Sequence, residues 1–373
     1  MNLPLSDQPM FPSFDSLEAI LWPALALIVF VVTAVIVDVM IILSTRFRMV
    51  DLPNRRSAHA LPTARGGGVA IVATAAMASL VAVYRWPHLA GRIMLGILLP
   101  SIVLAAVGVI DDIRPLRPVL RLGIQAAVAA SMTAVLGPLT GIELPGMPPL
   151  EFGMLAWPLT LLWVVGLINA FNFMDGADGM AGLAAVVGGA GVAAVAYSTH
   201  SLATMLLAAF AAAAAAGFLV FNWQPARVFM GDVGSGFLGT WFAGLPLLVR
   251  DEAIQQTIVP IALCLWPTIY DPFMSVLRRI WNGANPLEPH REFLFHRLIR
   301  SGVSHSQAAL IYGGMAALGG LLGLAMVKPW VPVEVRAWMP LGGILLAAAL
   351  TYLIERRCRR VQLDAASQPV PAP

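Results

Sequence analysis

Residues 155–197 read LAWPLTLLWVVGLINAFNFMDGADGMAGLAAVVGGAGVAAVAY, and their pattern indicates the fold class. Two apolar runs, 155–168 and 183–197, flank a short polar segment that carries Asp175 and Asp178. Each run approaches the length that an α-helix needs to cross the hydrocarbon core of a bilayer. Carboxylates at the junction of two such helices are costly to keep near lipid, which indicates a polar site at a membrane face.

The same apolar character extends along the whole chain. Of its 373 residues, 59% are hydrophobic and 12% are charged, a composition that excludes an ordinary soluble domain. The two cysteines, Cys264 and Cys358, supply neither a disulfide framework nor a zinc-binding spacing. We therefore predict an all-α polytopic integral membrane protein.

About eleven transmembrane helices are predicted from the long apolar runs. They lie at 19–45, 66–84, 92–110, 119–136, 155–170, 180–198, 203–221, 235–249, 257–280, 306–327 and 338–355. Basic residues set the orientation, because cytoplasmic loops are enriched in Lys and Arg. Of the 23 Lys and Arg residues, all fall on one predicted side except Arg85, Arg92, Arg250, Lys328 and Arg336. The N-terminus is therefore predicted outside and the C-terminus in the cytoplasm.

A single transmembrane domain is predicted over residues 19–355, with cytoplasmic loops at 46–65, 111–118, 171–179, 222–234 and 281–305. Residues 1–18 contain no Lys or Arg, so they are predicted to be a periplasmic segment and not a cleaved signal peptide. Residues 356–373 are predicted to be a cytoplasmic tail, basic at first and then flexible. The polar chemistry is therefore expected on the cytoplasmic face.

Five aspartates near the predicted helix ends are the candidates for this chemistry: Asp111, Asp112, Asp175, Asp178 and Asp232. The neighbouring carboxylates of Asp111 and Asp112 repel each other unless a proton or a cation lies between them. This pair therefore suits metal binding or proton acceptance. The alternative is that both are solvated acids at a helix end. Asp175 and Asp178 are spaced i, i+3, which predicts neighbouring positions on one helical face. Packing by small residues would explain the glycines around them but not the acids. Asp232 lies in the glycine-rich turn VFMGDVGSGFLG, whose backbone N–H groups suit phosphate.

Two basic stretches on the same face are candidates for phosphate binding. The first, RFRMVDLPNRRSAHALPTARGGG, carries Arg55 and His59. Arginine binds phosphate oxygens through paired N–H groups, although the positive-inside rule and anionic lipid headgroups also explain these residues. The second, NPLEPHREFLFHRLIRSGVSHSQ, carries His290, Arg291 and Arg297 among aromatic residues. An amphipathic interfacial helix is its alternative.

Together these stretches resemble the polyprenyl-phosphate N-acetylhexosamine-1-phosphate transferases of glycosyltransferase family 4, relatives of phospho-N-acetylmuramoyl-pentapeptide transferase. The matching pieces occur in the family's order: H-x-x-P-x-x-x-G-G from His59 to Gly67, the Asp pair at 111–112, NFMDGADG, VFMGDVGSGFLG and HREFLFHRL. The last motif resembles the branch that initiates O-antigen and other surface glycans. It departs from that branch at Phe293 and His296, where histidine and glutamine are usual.

The resemblance implies transfer of an N-acetylhexosamine-1-phosphate from a UDP-N-acetylamino sugar to undecaprenyl phosphate, with release of UMP. The reaction is expected at the cytoplasmic face of the bacterial inner membrane. Two phosphate-bearing reactants repel each other, so a divalent cation is expected to neutralise the developing charge. Carboxylates without Cys or His ligand spacing suit Mg²⁺, with Mn²⁺ as the alternative.

Expected residue roles follow from the matched motif positions. Asp232 is expected to hold the metal, and Asp111 and Asp112 to form the catalytic pair that activates the lipid phosphate. The expected substrate-binding residues are Arg55, His59, Asn172, Asp175, Asp178, His290, Arg291 and Arg297.

The expected partners are therefore the UDP-sugar, undecaprenyl phosphate and the lipid bilayer. No nucleic acid partner is expected, and a homodimer is left open. The main alternative function is a polytopic secondary transporter, but transporters usually keep ionisable groups near the bilayer midplane between repeated halves. A non-catalytic lipid-binding scaffold would not need acids beside glycine turns.

Overall fold

A computed structural model describes residues 18–46, 50–51, 63–249, 252–285 and 292–367 of the chain. The elements are, in chain order, α1 (Glu18–Arg46), β1 (Val50–Asp51), β2 (Thr63–Ala64), α2 (Gly67–Arg85), α3 (Ala90–Ile93), α4 (Leu99–Ile113), α5 (Pro118–Leu136), β3 (Gly141–Ile142), β4 (Leu150–Glu151), α6 (Ala156–Met174), α7 (Met180–Ser198), α8 (Leu202–Asn222), α9 (Gly231–Leu248), α10 (Glu252–Cys264), α11 (Trp266–Trp281), α12 (Leu294–Arg300), α13 (His305–Val327), α14 (Val333–Arg336) and α15 (Met339–Ser367). A π-helical turn, Met94–Leu98, joins α3 to α4. The strands form two short antiparallel pairs, β1 with β2 and β3 with β4.

The architecture is all-α and polytopic, which confirms the predicted fold class. Nine helices among the described residues are long and apolar enough to cross a membrane. The pair α10 and α11 forms one further candidate span, bent by 81° at its centre. The number of spans and the orientation of the termini stay predictions.

The bent pair replaces the uninterrupted helix that the sequence predicted over 257–280. Pro267, in the first turn of α11, has no backbone N–H group, so the helical hydrogen-bond ladder cannot continue to the carbonyl of Leu263. Helix α13 packs onto this carbonyl through Gly319, where a Cβ atom would collide with the oxygen. The break between α10 and α11 therefore follows from the missing N–H group of Pro267, and α13 packs closely against it.

Helix α9 lies at the centre of the bundle and packs against α2, α4, α6 and α8. Every residue from Val233 to Leu248 is buried. A helix that is apolar on all sides is expected in such an enclosed position. Its aromatic side chains fill the interior, with Phe242 stacked on Phe171 of α6 at a centroid distance of 5.4 Å.

Two glycines allow the start of α9 to approach its neighbours closely. A Cβ atom on Gly68 of α2 would lie 2.5 Å from the carbonyl oxygen of Met230 and would collide with the backbone of Gly234. A Cβ atom on Gly108 of α4 would lie 2.5 Å from the carbonyl oxygen of Asp232. Small residues permit such backbone contacts between membrane helices. The packing thereby places the start of α9 beside the last turns of α4.

The other end of α9 is held by Arg92. Its Nη2 donates hydrogen bonds to the carbonyl oxygens of Leu136 at 2.9 Å and Leu247 at 3.0 Å, in the last turns of α5 and α9. Carbonyl groups at a helix C-terminus lack donors within the helix, and the helix dipole favours a cation there. Helix α9 is therefore fixed at both of its ends.

Replacing Gly68 by Ala is expected to destabilise the bundle, because the added methyl group meets backbone atoms and not a movable side chain. Overpacking of this kind costs about 1–3 kcal/mol. Gly123→Ala is the matched control, since nothing lies within 4 Å of its added Cβ atom. Thermal unfolding in detergent should give a lower midpoint for Gly68→Ala than for Gly123→Ala. Equal midpoints for the two variants would contradict the described packing.

Candidate active site

Three helix ends meet at the candidate site. Helix α4 carries Asp111 and Asp112 in its last turn, α6 ends directly before Asp175, and α9 carries Asp232 in its first turn. We call these four residues the carboxylate cluster. The close approach of α4 and α9 at their glycine contact brings the cluster together from segments far apart in the sequence.

Arg121 joins two members of the carboxylate cluster. Its Nη1 donates to Oδ2 of Asp111 at 2.7 Å and to Oδ2 of Asp232 at 3.2 Å. Helices α4 and α5 are joined by a short connection. Arg121, near the start of α5, therefore lies close to Asp111, near the end of α4. The other oxygen of Asp111 accepts a hydrogen bond from the backbone N–H of Leu116 at 2.5 Å. One guanidinium group is therefore shared by carboxylates from two different helices.

The remaining oxygen of Asp232 is bound by Asn172 of α6. The Nδ2 atom of Asn172 donates to Oδ1 of Asp232 at 2.6 Å and to Oγ of Ser235 at 3.3 Å. Ser235 in turn donates to the carbonyl oxygen of Gly231 at 3.1 Å. The structure thus places Asn172, predicted to bind substrate, in direct contact with the predicted metal ligand.

Asp112 lies against the turn that starts α9. Its Oδ1 accepts a hydrogen bond from the backbone N–H of Asp232 at 3.4 Å. A Cβ atom on Gly231 would lie 2.6 Å from Oδ2 of Asp112, and Gly231 has a φ of +69°, in the left-handed region that favours glycine. Both constraints require glycine directly before Asp232, which accounts for the GD pair in the sequence.

The end of the predicted first cytoplasmic loop lies beside this turn. The backbone N–H of Phe229 donates to the carbonyl of Ala64 at 2.9 Å, and that of Gly67 donates to the carbonyl of Phe229 at 3.0 Å. These bonds bring Arg65 to the carboxylate cluster, with its Nη1 atom 3.5 Å from the carbonyl oxygen of Asp112. Arg55 and His59, predicted to bind substrate from the same loop, lie outside the described residues.

Burial and neighbouring negative charge raise the pKa of the carboxyl groups of Asp175 and Asp232. Burial raises the pKa of Asp232 to about 7, a hydrogen bond with Asp111 and the charge of Asp112 act in the same direction, and Arg121 opposes them. Burial also raises the pKa of Asp175 well above its usual range, with the charges of Asp232 and Asp112 adding to the effect. Loss of hydration and neighbouring negative charge both disfavour an ionised carboxylate.

Asp175 and Asp178 do not share one helical face, and the prediction from their spacing is wrong. Helix α6 ends before Asp175 and α7 begins only after Gly179, whose φ is +75°. Oδ2 of Asp175 accepts from the backbone N–H of Gly231 at 3.1 Å. Oδ2 of Asp178 instead accepts from the N–H of Ala226 at 3.2 Å, and its Oδ1 lies 3.4 Å from Nδ1 of His305. The non-helical loop directs the two carboxylates to different partners.

Arg297 lies in α12 and forms a bidentate ion pair with Glu355 of α15, in which Nη2 donates to Oε2 at 2.7 Å. Among the described residues, Arg297 therefore pairs with a carboxylate of another helix and not with one of the carboxylate cluster. His290 and Arg291, predicted to bind substrate from the preceding segment, lie outside the described residues.

Sequence reasoning missed two residues, Arg121 and Asp271. Arg121 lies at the start of the predicted helix 119–136, and the short predicted loop 111–118 was a usable signal that it returns close to Asp111. Asp271 lies within the predicted helix 257–280, and the sequence assigns it no role. It is 1% exposed and accepts hydrogen bonds at the start of α12, as expected for a carboxylate that needs partners among apolar helices. Asp38, also without an assigned role, lies 3.7 Å from Arg227.

The ligand types in the cluster suit a hard divalent cation. Carboxylate and amide oxygens are preferred by Mg²⁺ and Mn²⁺. A cation would offset the negative charge that adds to the effect of burial on the pKa of Asp175 and Asp232. Within the described ranges, no three His, Cys, Asp or Glu side chains already converge on one point as metal ligands. The carboxylate oxygens of Asp111 and Asp232 are instead directed at N–H groups, including those of Arg121.

Comparison with known proteins identifies similar chains. Residues 94–250 match the family model described as glycosyl transferase family 4, and this segment contains the whole carboxylate cluster. The chain is 30% identical over 273 residues to a probable undecaprenyl-phosphate N-acetylglucosaminyl 1-phosphate transferase of Bacillus subtilis, covering 70% of this chain and 73% of that protein.

Two further relatives have related names. A decaprenyl-phosphate N-acetylglucosaminephosphotransferase of Mycolicibacterium smegmatis is 28% identical, with 74% of this chain and 76% of the relative covered. An undecaprenyl-phosphate alpha-N-acetylglucosaminyl 1-phosphate transferase of Salmonella typhimurium is 29% identical, with 88% and 89% covered. The similarity therefore extends over most of the chain.

The Asp232→Asn variant is expected to weaken the pH dependence of stability of the metal-free protein. The pKa of this carboxyl group rises from 3.8 to about 7 on folding, so the folded state binds more protons between these values. Stability then falls as pH rises through this window, and Asn removes the contribution of Asp232. Thermal midpoints at pH 5 and pH 8 in excess chelator should differ less for Asp232→Asn than for the wild type. Equal differences would contradict the raised pKa.

Proposed function

Because this chain belongs to glycosyl transferase family 4, the family of the polyprenyl-phosphate N-acetylhexosamine-1-phosphate transferases, we propose that it transfers an N-acetylhexosamine-1-phosphate group to polyprenyl phosphate. The membership confirms the resemblance predicted from the five motifs and makes the chain a member of a phosphotransferase family. It also argues against the alternative function, a polytopic secondary transporter.

The donor in this proposal is a UDP-N-acetylamino sugar. An oxygen of the lipid phosphate attacks the phosphorus that bears the sugar, the bond from that phosphorus to the oxygen of UMP breaks, and polyprenyl-diphospho-sugar is formed. The observation that carries the proposal is the carboxylate cluster, which gathers acids at the ends of α4, α6 and α9. Clustered acids at helix ends suit charged reactants that meet at a membrane surface, one dissolved in water and one anchored in lipid.

A divalent cation, Mg²⁺ or alternatively Mn²⁺, is part of the proposal. Asp232 would hold it, with Asp111 and Asp112 close by. When bound, the ion supplies electrostatic stabilisation of the negative charge on the phosphoryl oxygens. The two hydrogen bonds from Arg121 to Asp111 and Asp232 keep these carboxylates close to each other, and the ion would compete with this guanidinium group for their oxygens.

The side chains of the cluster have distinct proposed roles. Asp111 and Asp112 orient the lipid phosphate and accept its proton where one is present, since a phosphate monoester is largely ionised at neutral pH. Asn172 orients Asp232 through the 2.6 Å hydrogen bond to Oδ1. Asp175 holds the turn before Asp232 through the N–H of Gly231.

Substrate binding is proposed for the remaining predicted residues. Asn172, Asp175 and Asp178 would contribute to the nucleotide-sugar side of the site, with Arg55, His59, His290 and Arg291 binding the diphosphate. Arg297, which pairs with Glu355, would act by holding α12 in place. The relatives named as N-acetylglucosaminyl transferases make UDP-N-acetylglucosamine the first donor to test, ahead of N-acetylated 6-deoxyhexosamines. Undecaprenyl phosphate is the proposed acceptor.

The proposed setting is the cytoplasmic face of the bacterial inner membrane, where UDP-sugars are available. The product would be the first lipid-linked intermediate of a surface polysaccharide of the O-antigen type or of cell-wall biogenesis. The excess of Arg on the face predicted to be cytoplasmic supports this orientation.

Purified protein is expected to convert labelled UDP-N-acetylglucosamine and undecaprenyl phosphate into chloroform-extractable label and UMP when Mg²⁺ is present. Asp111→Asn and Asp232→Asn should each lower the rate at least about a hundredfold, in line with the loss of a group that stabilises charge in the transition state. Asp38→Asn is the matched control, because Asp38 pairs with Arg227 and not with the cluster. Its rate should stay near that of the wild type.

Two results would contradict the proposal. One is the absence of lipid-linked label with every member of a panel of UDP-N-acetylamino sugars. The other is wild-type activity in Asp111→Asn or Asp232→Asn protein that elutes as a folded species on gel filtration.

A further inference from the structure

We propose that Asp271 and Tyr312 are positioning residues that hold α12 against the loop of residues 175–179, so that Phe295 and His296 form a fixed wall of the candidate active site. The effect of this wall on sugar-phosphate transfer rests on the proposed function. The hold itself is a property of the fold and can be tested without an activity assay.

Asp271 of α11 binds the start of α12 through backbone hydrogen bonds. Its Oδ1 accepts from the N–H of Leu294 at 2.6 Å, and its Oδ2 accepts from the N–H of Phe295 at 3.1 Å. The first N–H groups of a helix lack acceptors within the helix, and a carboxylate there also interacts favourably with the helix dipole. Asp271 is 1% exposed, so these bonds are shielded from water.

Tyr312 and Ser275 fix Asp271 in this position. The hydroxyl of Tyr312 on α13 donates to Oδ2 of Asp271 at 2.7 Å, and Oγ of Ser275 donates to Oδ1 at 3.2 Å. All four hydrogen bonds converge on a single buried carboxylate that belongs to neither α12 nor α13. Satisfied networks of this kind rigidify the elements that they join.

Helix α12 is also held by α15. Arg297 forms its bidentate pair with Glu355, and Arg278 of α11 lies 3.2 Å from the same carboxylate. The guanidinium of Arg297 is thus engaged within the protein. In this arrangement Arg297 influences the site by holding α12 in position and not by direct contact with substrate.

The held helix presents two rings to the loop of the candidate site. The rings of Phe295 and His296 are stacked with centroids 4.1 Å apart. A Cβ atom on Gly176 would lie 3.1 Å from Nε2 of His296 and 3.2 Å from Cζ of Phe295. A second contact joins the same regions, since the ring centroids of Phe173 and Phe293 are 5.0 Å apart.

Gly176 directly follows Asp175, so the position of α12 sets the position of a cluster residue. Asp175 binds the N–H of Gly231, the residue before Asp232. A continuous chain of contacts therefore runs from Asp271 through α12 and Gly176 to the turn that presents Asp232. Without the hydrogen bonds that Asp271 accepts, neither the wall nor this turn would be held in place by α11.

Hydrogen–deuterium exchange of the purified full-length protein tests the hold directly. In Asp271→Asn, the side-chain amide cannot accept both backbone hydrogen bonds, and exchange over residues 292–300 is expected to rise at least about tenfold. Exchange over residues 174–180 is expected to rise with it. Tyr312→Phe keeps both backbone bonds and should give a smaller increase in the same two segments.

Tyr270→Phe is the matched control, because Tyr270 lies next to Asp271 in the sequence. Its hydroxyl forms a hydrogen bond of 2.8 Å with Thr351 of α15 and none with the described residues of α12. Its exchange should equal that of the wild type in both segments. Wild-type exchange over 292–300 in Asp271→Asn would overturn the proposal, as would faster exchange there with no change over 174–180. If Asp271→Asn does not fold, the comparison of Tyr312→Phe with Tyr270→Phe decides by the same criteria.

Steady-state kinetics then test the link to the reaction. Tyr312→Phe is expected to raise the KM for the UDP-sugar several-fold while the KM for undecaprenyl phosphate stays within about twofold of the wild-type value. A uniform loss of active protein would lower kcat alone and would contradict the positioning role. Absence of transferase activity in the wild-type protein would contradict the proposed function. The exchange experiment would still test whether Asp271 and Tyr312 hold α12 against the loop of residues 175–179.

Discussion

The site depends on one shared interaction, the binding of a single guanidinium group by carboxylates from two helices. Arg121 lies between Asp111 and Asp232 and donates to both. Two carboxylates at this proximity repel each other, and the attraction between opposite charges grows as water is excluded. Asp111 has a side chain only 7% exposed, whereas Asp232 is 30% exposed. The guanidinium group of Arg121 therefore compensates the repulsion between Asp111 and Asp232 that the packing of α4 against α9 imposes.

That packing is possible because the bundle interior is built around α9. Its burial along the whole length from Val233 makes it a rigid reference for the helices around it. Glycines at its start remove the side chains that would separate it from α2 and α4. Arg92 fixes its far end by binding carbonyl groups of α5 and α9. Membrane helices gain little from the hydrophobic effect between themselves, so close packing and these polar contacts carry the arrangement that presents Asp232.

Much of this arrangement could be predicted from the sequence. Long apolar runs indicated an all-α membrane protein. The positions of the acids at the ends of those runs predicted that five aspartates would share one face, and the structure brings all of them except Asp178 into the carboxylate cluster. Partners that depend on three-dimensional packing could not be read in the same way. The i, i+3 spacing of Asp175 and Asp178 suggested one helical face, but the chain is not helical there. Arg121 and Asp271 became meaningful only when helix neighbours were known.

We propose that the carboxylate cluster forms one cation site centred on Asp232. Titration of Mn²⁺ into the purified protein, followed by electron paramagnetic resonance, tests it without any substrate. The account predicts one bound ion per chain that Mg²⁺ displaces, loss of this ion in Asp232→Asn, and its retention in Asp178→Asn, whose carboxylate faces Ala226 and His305 instead. Undiminished binding in Asp232→Asn, or loss of binding in Asp178→Asn alone, would contradict it.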